Sequence, residues 1–453
     1  MVKRYLRLAL LAAAATATAG CPGPQQGVYV LLSSTDIKTL DPVQVRVTAN
    51  NPWGHQLEYR FAADRGFVDN RDLGAIATYY APYTGGADTV HVSVFDRFDG
   101  VTVAQQDVQV LVNGESLVSV DTGGKTLGPF DNGTVRINPV RGFGQAVTLG
   151  QGRMPQISPD GRFLAFVKYV GDGTSQVFVR DPAGGERNIT NHQSFNVDPA
   201  WAPINSSRQL VLVFSSDRIS TGQGQSTTGH SDHYNLWRTN VDTGDLRPVT
   251  SITASARQPS WSPDGRFIVF SSNLDNNLPK DYWNLYQSDV QTGKLNKLTF
   301  EASPTYGCYE PIFSPNGSRL AYTRKYLRPL LNQQLPLQKV FVLNVAAASL
   351  FPTAQSGQKS FGQFLMNQQD QSRSESAPSW SPDGNELAFV QTIGSESRVF
   401  RVNANPPGFG FNYDQMAEVG VSNAIEARWA RQNYMANYAG GGGAYQTTPG
   451  LPF

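Results

Sequence analysis

Four times in this chain a bulky residue, a Ser-Pro-(Asp/Asn)-Gly turn and an apolar alternating strand follow one another at fixed spacing. The bulky residues are Ile157, Trp261, Phe313 and Trp380, and the turns begin at Ser158, Ser262, Ser314 and Ser381. Phe166, Phe270, Tyr322 and Phe389 each stand nine positions after the bulky residue. Proline sets φ for the first central turn position, Asp or Asn bonds nearby backbone, and Gly accepts positive φ. Trp201-Ala202-Pro203 is a looser copy with a longer turn that reaches Phe214-Ser215-Ser216. Each copy is a hairpin too small to bury a core alone, so stacking of copies is required. A period of several tens of residues then means a propeller or a solenoid.

Beyond each hairpin comes a third strand with an aliphatic–aromatic pair: Val177-Phe178, Leu236-Trp237, Leu285-Tyr286, Val340-Phe341 and Val399-Phe400. Asp181, Asn240, Asp289, Asn344 or Asn403 follows and enters a turn, and several units close with Ile189-Thr190, Val249-Thr250 or Leu298-Thr299. This pattern resembles the WD40-like (PD40) repeats of the TolB-type β-propeller, over about two thirds of the chain. The resemblance implies a propeller and brings no catalytic residue with it. It stops at the repeats: the TolB family carries an α/β domain ahead of its blades, where this chain has β strands.

Both ends contribute to the count of blades. Glu426-Ala427-Arg428-Trp429 supplies a sixth first strand, with Tyr438 nine residues later. Val135 to Asn138 fits a third strand and Val147-Thr148 a fourth. The expectation is an all-β chain whose six-bladed propeller, residues 134–438, is closed by strands from both ends, since closure removes the open edges. Residues 439–453, opening with Gly440 to Gly443, read as a Gly-rich tail.

The start of the chain reads as an export signal over residues 1–20. Lys3, Arg4 and Arg7 precede an apolar run, Leu8 to Ala17, and Thr18-Ala19-Gly20-Cys21 ends it. The run is short for a membrane span. It resembles a bacterial lipobox, which implies cleavage before Cys21 and lipidation of its sulfur, with residues 21–26 as a tether. Cys308 is the one other cysteine, so no internal disulfide partner remains, and it reads as a buried filler. From 27 to 113, Val43/Val45/Val47, Leu57/Tyr59/Phe61, Val90/Val92/Val94 and Val108/Val110/Val112 alternate between turn residues, as in a sandwich. Ala77 to Pro82 followed by Gly86 to Val90 resembles bacterial Ig-like domains, which implies a spacer or adhesion module. Residues 114–133 read as a linker. Gly124-Lys125-Thr126 within them lacks the earlier glycine of a phosphate loop, because Ser119 stands there.

Lys plus Arg number 37 and Asp plus Glu 36, a balance that argues against a nucleic-acid binder. No Gly-x-Ser-x-Gly, His-Glu-x-x-His or paired Cys-x-x-Cys motif occurs, so the expectation is a protein without enzymatic activity or cofactor. His230-Ser231-Asp232-His233 lies in a polar loop that would not fix ligand geometry. The long insertions, 217–233, 273–282, 324–338 and part of 345–377, all connect strand two to three or blade to blade, which places them on one face. Arg218, Tyr234, Tyr282, Trp283, Arg324, Tyr326 and Arg328 are expected there as exposed contact residues of the types that dominate interfaces. At the channel mouth, just before the first strands, lie Arg153, Asp198, Arg257, Glu310 and Glu426. Their carboxylates are placed to hold a cation or to be neutralised by the arginines. The combined reading is an exported, lipid-anchored cell-envelope protein at the periplasmic face of the outer membrane or the cell surface, whose propeller binds envelope protein partners. Two alternatives are a polysaccharide-binding or polysaccharide-cleaving propeller working at the channel mouth, and a surface assembly subunit.

Overall fold

The computed structural model describes residues 27–430 except 52–53, 72, 142–144, 172, 205–208, 221–225, 275–281, 302–305, 331–332, 346–361, 368–371 and 409. The leader, Cys21, Tyr438 and the Gly-rich tail lie outside the described residues. The fold is all-β, with one 3-10 turn, Tyr413–Gln415, among the described residues. Among the described residues no helix is long and apolar enough to cross a membrane.

Residues 27–113 form two packed four-stranded sheets. One orders Val28–Leu32, Pro42–Ala49, Ile76–Tyr80 and Phe67–Asp69; the other orders Ile37–Lys38, Thr102–Asn113, Gly86–Asp96 and Leu57–Ala63. The alternating valines 43, 45, 47, 90, 92, 94, 110 and 112 fill the space between them with Tyr79. Period-two patterning has put one face of each sheet into a shared core.

The repeats form the propeller. Its blades are taken in chain order by their first strands: the C-terminal half of Val147–Ile157, then Asn196–Trp201, Ala256–Trp261, Gly307–Phe313 and Ser374–Trp380. Each heads a blade of four antiparallel strands laid side by side in sequence order. In all four regular turns the serine hydroxyl donates to the Asp or Asn oxygen two residues on, at 2.5–2.8 Å. The same hydroxyl accepts the backbone N–H five residues on, at 2.9–3.0 Å. Both ends of the turn are thereby satisfied, which is why Ser and Asp recur together with Pro and Gly.

The ring closes differently from the expectation. Residues 114–133 are no linker: Glu115–Asp121 is a strand, paired on one side with Gly133–Arg141 and on the other with the C-terminal strand Ala424–Trp429. This strand, and not a segment around Tyr438, occupies the second position. The N-terminal half of Val147–Ile157 pairs with Gly133–Arg141 and its other half with Leu164–Tyr169, so one strand serves two blades. Glu115–Asp121 escaped recognition because Ser116 to Val120 are all buried. A strand covered on both faces shows no alternation.

The sandwich docks on the turn face of blade 1. Tyr83 is fully buried among Val118, Val135, Ile157, Leu164 and Phe166. Its N–H donates to Gly161 O at 2.9 Å and its hydroxyl to Asp181 O at 2.9 Å. Arg65 is also buried, and its guanidinium donates to the carbonyls of Asp160, Ala87, Thr84 and Gly85 at 2.9–3.0 Å. Gly161 is required twice over: its φ is +77°, and a Cβ there would lie 2.2 Å from Thr84 Oγ1.

Candidate functional site: the channel and its loop-side mouth

Five first strands carry the same irregularity. Met154, Asp198, Gln258, Glu310 and Ala377 have φ between +52° and +55°, and each precedes a proline: Pro155, Pro199, Pro259, Pro311 or Pro378. A left-handed non-glycine residue costs of the order of 1–3 kcal/mol and persists where its surroundings over-determine it. Here the surroundings form a chain of hydrogen bonds around the channel. Met154 N–H donates to Glu426, Asp198 N–H to Met154 Sδ (3.3 Å), and Gln258 N–H to Asp198 Oδ2 (3.0 Å). Glu310 N–H then donates to Gln258 Oε1 (3.0 Å) and Ala377 N–H to Glu310 Oε2 (2.7 Å). Each blade thus grips the backbone of the next through one side chain. The sequence breaks at Ala377, which has no acceptor to offer Glu426. Ala377→Gln is expected to complete the ring and add about 0.5–1.5 kcal/mol, the net value of one hydrogen bond, read as a raised denaturant midpoint with unchanged slope. Glu426 lacks the left-handed φ and the following proline of the other five positions, and no gain in midpoint would show that its N–H is not presented to residue 377.

Below this ring a cavity of about 140 Å3 runs toward the turn face between prolines 155, 159, 199, 203, 259 and 263, with Trp201 and Trp261 in its wall. Above it lies the mouth on the loop side. Arg153 Nε pairs with Glu426 Oε1 at 2.9 Å and Arg257 Nε with Asp198 Oδ2 at 2.6 Å. Burial opposes the Arg257 charge, but Asp198 outweighs it and raises the pKa. Glu310 Oε2 additionally accepts the Thr323 hydroxyl at 2.7 Å. All three carboxylates are therefore committed to arginine, hydroxyl or backbone donors. Among the described residues no group of His, Cys, Asp and Glu gathers to hold a metal ion.

Aromatic side chains crowd the same mouth. Arg257 lies 4.5 Å over the Tyr234 ring, and burial pushes the Tyr234 hydroxyl up to about 12. Burial also raises the Tyr169 pKa, and Tyr169 is near enough to feel Arg153, Asp198, Arg257 and Glu426. Phe130, 61% exposed, stacks on Phe195 at 5.6 Å and meets Tyr169 edge-on at 5.8 Å. Sequence reasoning missed Phe130, Tyr169 and Phe195 because they belong to no repeated position. Tyr169 and Phe195 sit where a second strand ends and a first strand begins, which is the signal that would have found them.

The expected contact residues divide. Arg218 is not exposed: it is 3% accessible, donates to Ser216 Oγ (3.0 Å) and Asn196 Oδ1 (2.6 Å), and lies over Phe214 and Trp237. Burial pushes its pKa down to about 10. Arg324 is tied to Glu301 and lies over Tyr306 and Phe341. Trp283 is half-buried against Tyr309 at 5.8 Å, and its carbonyl accepts Cys308 N–H. Tyr282 and Tyr326 are also half-buried. The side chains of Arg328 and His230 lie outside the described residues; Ser231 Oγ and His233 Nδ1 are 3.1 Å apart. Cys308 is fully buried, and burial pushes its thiol up to about 12.

Two of the insertions are not loops. Val211–Ser220 with Ser226–Asn240, and Arg319–Leu330 with Gln333–Asn344, are long hairpins whose pairing continues past the blades. In the second, every residue from Arg319 to Leu330 has a partner. Arg218 and Arg324 lie near the hairpin bases, which is why they are packed.

With this geometry in hand, comparison with known proteins gives a consistent result. The family model described as the TolB beta propeller domain, PD40, matches residues 146–340. The Tol-Pal system protein TolB of Francisella tularensis subsp. mediasiatica is 24% identical over 56% of this chain and 50% of its own length. The uncharacterized peptidase YuxL of Bacillus subtilis is 29% identical over 26% of this chain and 22% of its own. The chain thus spans about half the length of that TolB relative and less of the peptidase. The crystal structure of TolB from Acinetobacter baumannii aligns with 82% of this chain and 83% of that one, at 15% identity and a TM-score of 0.47. Residues 146–340 of this chain match the PD40 model, and the propeller is TolB-like.

Proposed function

We propose that this chain is a non-enzymatic, lipid-anchored scaffold of the cell envelope, in which an Ig-like sandwich carries a six-bladed propeller that binds a protein partner on its loop face. The carrying observation is the asymmetry of the two faces. The turn face is covered at blade 1 by the sandwich through Tyr83 and Arg65. The opposite face bears both long hairpins and the aromatic–arginine mouth of Phe130, Tyr169, Tyr234 and Arg257. Aromatics and arginine at the centre of a patch are what interface hot spots are made of. Similarity to proteins named for the Tol-Pal system supports an envelope setting and a protein partner. The six-blade count counts the closing sheet of Glu115–Asp121, Gly133–Arg141, the start of Val147–Ile157 and Ala424–Trp429 as one blade.

Phe130→Ser with Tyr282→Ala changes two loop-face side chains that are at least partly accessible. The pair is expected to weaken capture of the partner from cross-linked envelopes about thirtyfold or more, at about 2 kcal/mol for a hot-spot aromatic. Asp264→Asn on the turn face is the control and leaves capture unchanged. Undiminished capture by the loop-face pair, with an unchanged melting curve, would move the binding surface elsewhere.

A further inference from the structure

Register identifies the end of the sandwich that points away from the propeller. Leu40 packs into the junction cluster with Tyr83, and Ala81 N–H donates to Asp41 O, so residues 40–42 and 80–86 form the propeller end. Pro42–Ala49 runs away from that end, and Val28 lies opposite Ala49. The described chain therefore begins at the remote end. The Asp96–Val101 turn is there too, because Gly86–Asp96 starts at the junction and Asp96 lies opposite Leu57. So is the connection from Asp69 to Ile76, which rejoins the sheet opposite Arg46.

This end is unusually apolar for a surface. Twelve large apolar side chains are exposed among the described residues, and five of them, Tyr29, Leu73, Ile76, Phe98 and Val101, belong to it. Phe98 is 83% and Val101 58% exposed. They are held out by a well-made turn. Asp96 Oδ1 accepts Phe98 N–H at 2.8 Å, Asp99 Oδ1 accepts Val101 N–H at 2.9 Å, and Gly100 N–H donates to Asp96 O at 2.9 Å. His55 supports the Phe98 ring at 5.0 Å and binds Asp96.

We infer that this end is a lipid-contacting tip, with Phe98 and Val101 entering the interfacial region of the bilayer. The inference rests on the lipid-anchor reading of Cys21. Five residues, Pro22 to Gln26, separate that cysteine from Gly27, so six Cα steps of at most 3.6 Å give a reach of about 20 Å. An acylated Cys21 confines the tip to the membrane surface, where an aromatic and a branched aliphatic side chain partition favourably. A protein occupant fits less well, because a small convex turn offers far less than the roughly 1,200 Å2 of a stable complex.

Two measurements decide it. In the first, the full acylated chain is placed in 3:1 phosphatidylethanolamine–phosphatidylglycerol vesicles with an environment-sensitive dye on Thr102→Cys or, as control, on Ser395→Cys of the loop face. Cys308 is buried and does not compete for the label. Nitroxide lipids are expected to quench the dye at 102 at least threefold and leave the dye at 395 unchanged. In the second, a chain begun at Gly27, which keeps every described strand, is sedimented with the same vesicles. Phe98→Ser with Val101→Ser is expected to lower its partitioning at least fivefold without changing its melting. A dye at 102 as unquenched as that at 395, or equal partitioning of the two chains, overturns the tip. Mass spectrometry of Cys21 tests the anchor separately: absence of an acyl group removes the anchor, and the second measurement still judges the tip.

Discussion

Lys339→Met will lower folding stability by about 3–5 kcal/mol, and adding Glu375→Leu to the same chain will recover most of that loss. The two side chains are wholly inaccessible, with Lys339 Nζ 2.7 Å from Glu375 Oε1. Tyr413 completes a triangle: its hydroxyl oxygen accepts from Lys339 Nζ at 2.6 Å and its proton goes to Glu375 Oε1 at 2.7 Å. At the corresponding place, blades 1, 2 and 3 use Gln176, Asn235 and Asn284, each accepting from a threonine, Thr190, Thr250 or Thr299. Those threonines accept the N–H of Val177, Leu236 and Leu285. Leu365-Met366 supplies no threonine in blade 4, and an ion pair stands in for the neutral clasp. Burial raises the Glu375 pKa, which Lys339 only partly offsets. Removing Lys339 leaves that carboxylate buried without its cation, whereas removing both leaves nothing charged to desolvate. The deficit of the single variant will therefore shrink as pH falls and Glu375 takes up a proton. Equal losses in the single and double variants, by chemical denaturation, would show that packing alone is at stake.

Ending the chain at Asn423 will abolish cooperative melting of the propeller, a loss on the order of the 5–15 kcal/mol that holds a domain together. The missing strand Ala424–Trp429 buries Ala424, Ala427 and Trp429 and pairs along Glu115–Asp121 from Asp121 to Leu117. Without it Leu117 loses its packing against Ala427 and Trp429, and Glu115–Asp121 is left with an unpaired edge, which is also a template for aggregation. Glu426 leaves with it, and the hydrogen-bonded ring loses its grip on Met154. A chain ending at Ala430 keeps the strand and the Ala430 N–H bond to Ser116 O, and will melt like the full chain. Equal melting of both truncations would mean that the ring is held shut elsewhere.

The repeated turn was legible because its chemistry is local: Ser262, Asp264 and Gly265 satisfy one another within six residues. The third-strand pairs and the threonines of the closing strands were legible as repeated positions, but not the clasps those threonines make with Gln176, Asn235 and Asn284. The channel-mouth residues Arg153, Asp198, Arg257, Glu310 and Glu426 could be named because each stands at a fixed offset before a turn, but the sequence left open whether the carboxylates would meet a cation or the arginines. What escaped depended on contacts across the ring. Glu115–Asp121 has no turn signal and no alternation, since it is buried on both sides. Arg218 has the composition of a surface residue, but Asn196 of the neighbouring strand and Ser216 of its own give it an interior site. The left-handed residues before proline ran against local preference. Only acceptors from the adjacent blade hold them.

The junction between sandwich and propeller has a mechanical side. Covalently, Thr102–Asn113 passes into Glu115–Asp121 through Gly114 alone, so no slack separates the two bodies. Tyr83 and the Arg65 guanidinium bridge the same gap beside that link. A load applied between the loop face and the start of the chain is then carried by stiff parts in series. At the remote end it reaches Val28–Leu32, which pairs antiparallel with Pro42–Ala49 and would be drawn along its own axis. Its ladder bonds lie across the pull and must break together, whereas a hairpin peeled from one end gives way one bond at a time. The molecule transmits tension as a tie rod does, and its first yielding point is the strand Val28–Leu32.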